Sequence, residues 1–144
     1  MNIVINSDGG SRGNPGEAAI GVIIRDNSDN IIETYGKKIG KATNNMAEYE
    51  AIIQALTLAT KYKAEELTCN LDSELVAKQL QGKYQVSSKL LKPLYITAKE
   101  LERNFRKVTY KHVKREDEIQ KLADKIVNKT LDGKKFVLQT NKKE

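Results

Sequence analysis

Residues 3–16, IVINSDGGSRGNPG, constrain this chain more than any other stretch. The apolar run Ile3, Val4, Ile5 reads as a strand that stops at Asp8, and a loop with Gly9, Gly10, Gly13 and Gly16 follows. A strand ending on a carboxylate puts that charge at the rim of a sheet, within reach of solvent and ligands. Glycines directly behind it let backbone N–H groups come close to a ligand, because no Cβ intervenes. The same letters also fit a β-hairpin whose turn uses Gly, Asn and Pro, with Asp8 as a turn former. What weighs between the two readings is the rest of the chain, which supplies three more carboxylates in matching positions.

The following elements fall into a regular order. Ala18 to Arg25 reads as a second strand, Asp26 to Asn30 as a turn, and Ile31 to Ile39 as a third strand, so the first third is an antiparallel meander. Met46, Tyr49, Ile53 and Leu56 recur at helical spacing and predict a helix from about Thr43 to Tyr62. Leu67 to Leu71 is a short strand that stops at Asp72; Ser73 caps a helix from Glu74 to about Leu80. A helix from Ser87-Ser88 to near Asn104, a strand over Lys107 to Val113 and an amphipathic helix from Asp117 to about Lys129 complete the pattern. Phe136-Val137-Leu138 reads as a small docked strand and Thr140 to Glu144 as a frayed tail. The expected organisation is one domain over residues 1–131 with a tail at 132–144. Crossover helices in the later part imply an α/β fold, a mixed sheet covered by helices.

Composition bounds the function. With 144 residues the chain can bury a real core as one domain. No apolar run approaches the ~20 residues of a membrane span, so no membrane partner is expected. The single cysteine, Cys69, allows neither an internal disulfide nor a cysteine-built metal site, and a reducing cytoplasm is the expected compartment. Residues 1–72 hold 7 Lys/Arg against 10 Asp/Glu, whereas residues 73–144 hold 18 against 9. An acidic half joined to a basic half suggests a polyanionic partner gripped by the basic half.

Four carboxylates stand where packing logic does not place them by accident. Asp8 ends the first strand and Asp72 the fourth; if these strands are neighbours, both side chains reach one rim. Glu48, in the first turn of the long helix, shares helical spacing with Ile52, Ala55 and Ala59 and points to the body. Asp124 lies within the apolar stretch from Leu122 to Val127, where an inward carboxylate is costly unless a cation compensates it. Converging carboxylates without cysteine, and with one histidine, describe a hard-cation site such as Mg²⁺. Two such ions would clamp the attacking and leaving oxygens of a phosphodiester. Turn formation by Asp8 and Asp72, a helix-dipole role for Glu48 and a lysine partner for Asp124 are the competing readings.

The residues Asp8 to Gly16, Thr43 to Glu48, Leu71 to Ser73 and Leu122 to Asn128 together resemble the type 1 ribonuclease H family over about residues 1–130. The resemblance implies a ribonuclease H-like five-stranded sheet, strands 1–3 antiparallel and strands 1, 4 and 5 parallel. It also implies a Mg²⁺- or Mn²⁺-dependent endonuclease that cuts the RNA strand of an RNA/DNA hybrid duplex to 5′-phosphate and 3′-hydroxyl products. Two ions per site are implied, Asp8 bridging them, Glu48 and Asp72 holding one, and Asp124 the other. Gly10, Asn14, Thr43, Asn44, Asn45 and Ser73 correspond to substrate contacts, with the asparagines in the minor groove and Thr43 on a DNA phosphate.

The chain departs from the family pattern in the loop before Asp124. Where many relatives carry a histidine, this loop reads Lys114-Arg115-Glu116-Asp117-Glu118, and Glu116 is the nearest occupant of that catalytic role. His112 lies inside the last strand pattern and reads as structural. Relatives with such a loop show an asparagine four residues before the aspartate, where Gln120 stands here. The short Gln81 to Ser88 connection has no room for the basic protrusion some relatives carry, and no hybrid-binding domain precedes Asp8. Lysines of the second half, including Lys78, Lys83, Lys89 and Lys92, would then supply affinity, and a monomer is expected. The alternatives are a non-catalytic hybrid-binding module and a nuclease preferring double-stranded RNA.

Overall fold

A computed structural model describes residues 2–138 of the chain. Three antiparallel strands come first: β1 (Asn2–Gly13), β2 (Gly16–Arg25) and β3 (Ile31–Ala42). Helix α1 (Asn44–Ala59), β4 (Glu66–Leu71), α2 (Glu74–Leu80), α3 (Lys92–Glu102), β5 (Lys107–His112) and α4 (Glu118–Leu131) follow. The sheet order is β3-β2-β1-β4-β5, with β4 parallel to β1 and β5 parallel to β4. This is the five-stranded mixed sheet that the alternation of strands and crossover helices predicts.

Strand alternation divides the core between the two faces. Ile3, Ile5, Val22, Ile24, Leu67, Cys69 and Leu71 turn to one face, where Tyr49, Ile52 and Leu56 of α1 and Val76, Ala77 and Leu80 of α2 meet them. Ile23 turns to the other face and packs with Ala123 and Ile126 of α4. The helices seat on glycine. A Cβ at Gly9 would lie 2.2 Å from the Ala47 carbonyl carbon in α1, and one at Gly21 would lie 2.5 Å from the Ala123 oxygen in α4. One residue on β1 thus lets α1 approach the sheet, and its neighbour on β2 does the same for α4.

Several sequence expectations need correction. β1 does not stop at Asp8: it continues through the glycines to Gly13, antiparallel to β2, and the turn is made by Asn14 and Pro15. Only the parallel pairing with β4 ends early, at Asn6 against Asn70. Helix α1 gives way at Thr60–Tyr62 to a short 3₁₀ turn, and β5 ends at His112. Helix α3 begins at Lys92 rather than at Ser87-Ser88, because Pro93 has no N–H to offer and fits only the first turn. Ser88 instead accepts the Leu91 N–H at 3.2 Å. Helix α4 runs on to Leu131. Phe136-Val137-Leu138 form no strand; Phe136 packs against the α4 cluster, while Val137 is exposed. Residues 140–144, expected as a tail, lie outside the described residues.

The glycine seat has a measurable consequence. Gly9→Ala forces α1 backbone off β1 and is expected to cost about 3 kcal/mol or more, beyond ordinary overpacking. Gly10→Ala meets only the Val127 Cγ1 at 3.3 Å and is expected to cost under about 1 kcal/mol. Urea unfolding of the two variants checks the contrast.

Candidate metal centre

Beyond the Asn6–Asn70 rung, β1 and β4 are no longer paired. Asp8 lies two residues past that rung on one chain segment and Asp72 two residues past it on the other, so alternation sends both to the same side. Glu48 enters from α1, whose start is fixed by Thr43: its hydroxyl accepts the Met46 N–H at 3.2 Å. Glu48 is therefore the fifth helical residue, past the first turn expected for it, and its position owes more to the packing of α1 on Gly9 than to the helix dipole. One carboxylate oxygen from each of Asp8, Glu48 and Asp72 lies within 4.8 Å of the others.

These carboxylates are poorly solvated. Asp8 is 6% exposed and Glu48 5%. The Oε1 atom of Glu48 accepts the Gly9 N–H at 3.0 Å, while its Oε2 is buried with no hydrogen-bond partner. Burial, reinforced by the charges of Asp72 and Asp124, pushes Asp8 up to about 7. Glu48 is driven well above the usual carboxylate range by burial and by the charges of Asp8 and Asp72. Asp72 is raised by burial, with Arg115 and His112 opposing and Asp124 adding to the rise. Crowded oxygens of one sign, one of them an orphan, are a donor set suited to a hard divalent cation.

Asp124 reaches the same place from the opposite helix. It borders a cavity of about 450 Å³ that Asp8, Glu48, Asp72, Ser73 and Arg115 also line. Its apolar neighbours predict an inward carboxylate, but Asp124 is exposed; Ala123, Ile126 and Val127 are the residues α4 buries there. Its nearest side-chain partner is Asn128, whose Nδ2 lies 3.4 Å from Oδ2.

The residues expected to touch substrate surround this cavity. Gly10, Asn44, Asn45 and Ser73 line it, and Asn14, Thr43 and Asn45 line an adjoining groove of about 470 Å³ with Leu75 and Leu90. The Asn44 backbone N–H donates to Asn14 Oδ1 and the Ser11 N–H donates to Asn44 Oδ1, each at 2.9 Å, so the hairpin is stitched to the start of α1. Thr43, not Asn44 or Asn45, caps that helix, and Ser73 caps α2 by accepting the Val76 N–H at 3.2 Å. Glu116 is exposed and does not line the cavity. From its loop Arg115 does, with Nε 3.9 Å from Asp72 Oδ2. Arg115 was missed as a site residue because a lone arginine among Lys114, Glu116 and Asp117 carries no positional signal in the sequence.

Comparison with known proteins agrees with this fold. A family described as reverse transcriptase-like matches residues 6–130. The structure of RNase H1 from Halobacterium salinarum shares 36% identity, covers 92% of this chain and 99% of that one, and superposes with a TM-score of 0.88. LC11-RNase H1, solved in complex with an RNA/DNA hybrid, shares 36% identity over 91% of this chain and 97% of that one, with a TM-score of 0.85. A bifunctional protein of Mycobacterium tuberculosis is 40% identical over 135 residues, 92% of this chain; the chain spans 36% of that relative's length. Ribonuclease HI of Halobacterium salinarum is 38% identical over 87% of this chain, which spans 62% of that relative. The fold is that of a ribonuclease H-like domain. The chain belongs to the reverse transcriptase-like family, with ribonucleases H of type 1 among its relatives.

The raised carboxylates set a pH dependence with a defined sign. As pH rises from the ordinary carboxylate range through about 7, the folded state must release protons that the unfolded chain has already lost, so this site subtracts stability across that window. Asp8→Asn is therefore expected to raise the melting temperature in EDTA at about pH 8, and to matter little at about pH 4, below the window. Mg²⁺ should stabilise the native chain more at the higher pH and the variant much less. Thermal melts at both pH values, with and without Mg²⁺, provide the check.

Proposed function

We propose that this chain is a metal-dependent endonuclease that hydrolyses the RNA strand of RNA/DNA hybrids, leaving 5′-phosphate and 3′-hydroxyl ends. The observation that carries the reading is the buried meeting of Asp8, Glu48 and Asp72, with an unpartnered Glu48 oxygen among them. A pure binding module has no use for negative charge beside phosphates. The correspondence, over 91% of this chain, with an RNase H1 solved on an RNA/DNA hybrid supports the substrate class.

Each residue then has a task. Asp8, Glu48 and Asp72 would hold one Mg²⁺ or Mn²⁺, and Asp8 with Asp124 a second. When bound, two such ions neutralise the scissile phosphate and provide the attacking water at neutral pH. Gly10 lets the backbone approach the strand, Thr43 and the adjoining groove take the DNA backbone, and Asn14, Asn44, Asn45 and Ser73 face the minor groove. Glu116, exposed on the loop before α4, is proposed to help proton movement or product departure, with Arg115 beside Asp72 drawing phosphate in.

The domain over residues 1–131 is proposed to act as a monomer, since one chain supplies all the carboxylates of the site. Among the described residues no helix is long and apolar enough to cross a membrane. Cys69 is buried and its thiol is pushed up to about 12, chiefly by that burial; a reducing cytoplasm is the proposed compartment.

A labelled hybrid incubated with the protein separates the readings. Cleavage of the RNA strand is expected with Mg²⁺ or Mn²⁺ and none with EDTA, while Asp8→Asn should lower the rate on the order of 10³-fold or more. Faster cleavage of double-stranded RNA would reassign the substrate. Equal, metal-independent retention of uncut hybrid by both proteins would make the chain a binding module.

A further inference from the structure

The helix that carries Asp124 is anchored by a buried side chain that packing alone does not explain. Gln120 is fully buried in the first turn of α4, between Ile119 and the exposed Lys121. Its Nε2 donates to the Ser7 carbonyl at 2.8 Å, and its Oε1 accepts from Asn6 Nδ2 at 3.1 Å. The Asn6 Oδ1 in turn accepts from Arg25 Nη2 at 3.0 Å and from Asn70 Nδ2 at 3.5 Å. One amide thus ties α4 to β1, and through Asn6 to β2 and β4, at the last rung before β1 and β4 part.

We propose that Gln120 is a positioning residue for the metal centre, because its two hydrogen bonds lock α4 to the Ser7–Asp8 peptide and so fix Asp124 relative to Asp8. The inference rests on the nuclease reading of that centre. Asp124 lies four residues, about one turn, beyond Gln120. It is exposed; among the described residues Asn128 of its own helix donates to it, and the Asp8 carboxylate is close enough to interact with it. Its place is therefore inherited from the helix. Where α4 crosses the sheet it rests on Gly21 and Gly36, Ile23 packs against its Ala123 and Ile126, and Arg12 of β1 reaches its far end at Asp132 and the Asn128 carbonyl. The apolar contact is non-directional and the Arg12 pair is half exposed, so neither by itself stops the first turn of the helix from sliding or rolling. Two bonds from one planar amide to separate atoms of β1 oppose both motions. The Ser7 carbonyl belongs to the peptide that joins directly to Asp8, so the same bond steadies the opposite side of the site.

Gln120→Met keeps the length of the side chain and removes both bonds. The Mg²⁺ concentration for half-maximal cleavage is expected to rise about tenfold and kcat to fall about tenfold, the range for residues that orient metal ligands. KM for the hybrid should stay within about twofold, since the groove residues are untouched. Calorimetric titration with Mn²⁺ alone should show the same weakening without substrate. Leu101→Ala, on α3, which carries none of the site residues, controls for lost stability and should leave kcat and the metal requirement unchanged at a temperature where it is folded. Wild-type metal dependence in Gln120→Met, or matching losses in Leu101→Ala, would overturn the proposal. Should Gln120→Met fail to fold, Gln120→Asn serves: its amide is one methylene short of spanning both partners, and it should show the same raised Mg²⁺ requirement. A wild-type chain that does not cut hybrid overturns the nuclease reading, while the Mn²⁺ titration still decides the role of Gln120.

Discussion

The electrostatic repulsion among Asp8, Glu48 and Asp72 is the interaction on which the structure around the cleft depends. Carboxylates that could have faced water are instead gathered within 4.8 Å of one another, two of them almost fully buried. The described residues offset that crowding in part: the Gly9 N–H donates to Glu48, and Arg115 and His112 oppose the rise at Asp72. The nearest cation, Arg115, is 83% exposed and 3.9 Å from Asp72, too solvated and too far to neutralise the group. A fold that keeps such a cluster in place must hold it from outside, through elements that are stable for other reasons. The apolar contact of α1 with β1, β2 and β4 supplies that stability on one face, and the packing of Ile126 and Ala123 on Ile23 supplies it on the other.

How closely those elements approach is set by absent side chains. Gly9 and Gly21 occupy adjoining rungs of the β1–β2 pair but turn to opposite faces. Each admits helix backbone to a distance that a methyl group would forbid. The cleft exists because α1 and α4 converge on the residues flanking Asp8 from both sides of the sheet. The early end of the parallel ladder at Asn6 opens the space between β1 and β4 that the helices cannot fill. Gln120, Asn6, Asn70 and Arg25 form a hydrogen-bonded chain at that opening, while Ser7 Oγ, Arg25 Nε and Asn70 Oδ1 stay buried without a partner.

Much of this was legible in the letters. The period-two runs around Ile3, Ile23 and Leu67 and the 3.6-residue spacing in α1 and α4 gave the element order, and the crossover helices gave the mixed sheet. What local pattern could not show were features decided at a distance. Asp8 looked like the end of a strand because its apolar run ends there; in fact β2 carries the pairing on for five more residues, and only the β4 partner drops away. Asp124 looked buried because its neighbours are apolar, yet a helix turns 100° per residue and a charged group between Ala123 and Ile126 can stand clear of both. Phe136 resembled part of a strand because a short apolar run does not reveal whether a partner edge is free. The roles of Arg115 and Gln120 depend on which segment folds back onto which, and neither has a period or a spacing to announce it.

The uneven charge of the chain acquires a physical sense once the cleft is in view. The acidic half contributes β1, α1 and β4, which carry Asp8 and Glu48 and lead into Asp72; the basic half contributes α2, α3 and the loop with Lys114 and Arg115. A polyanion drawn in by the second half, as proposed, would meet in the cleft a concentration of its own sign. Approach and repulsion therefore oppose each other until the carboxylates are neutralised. Cations that satisfy the acidic centre remove the obstacle to phosphate, and phosphate in turn completes the shell of the cations. Binding of one must strengthen binding of the other by the same factor, since the coupling free energy is shared. A site too acidic to admit nucleic acid alone is thus no contradiction in a chain of net charge +6. On the proposed reading, the repulsion would make occupancy by metal a condition of productive binding rather than an accessory to it.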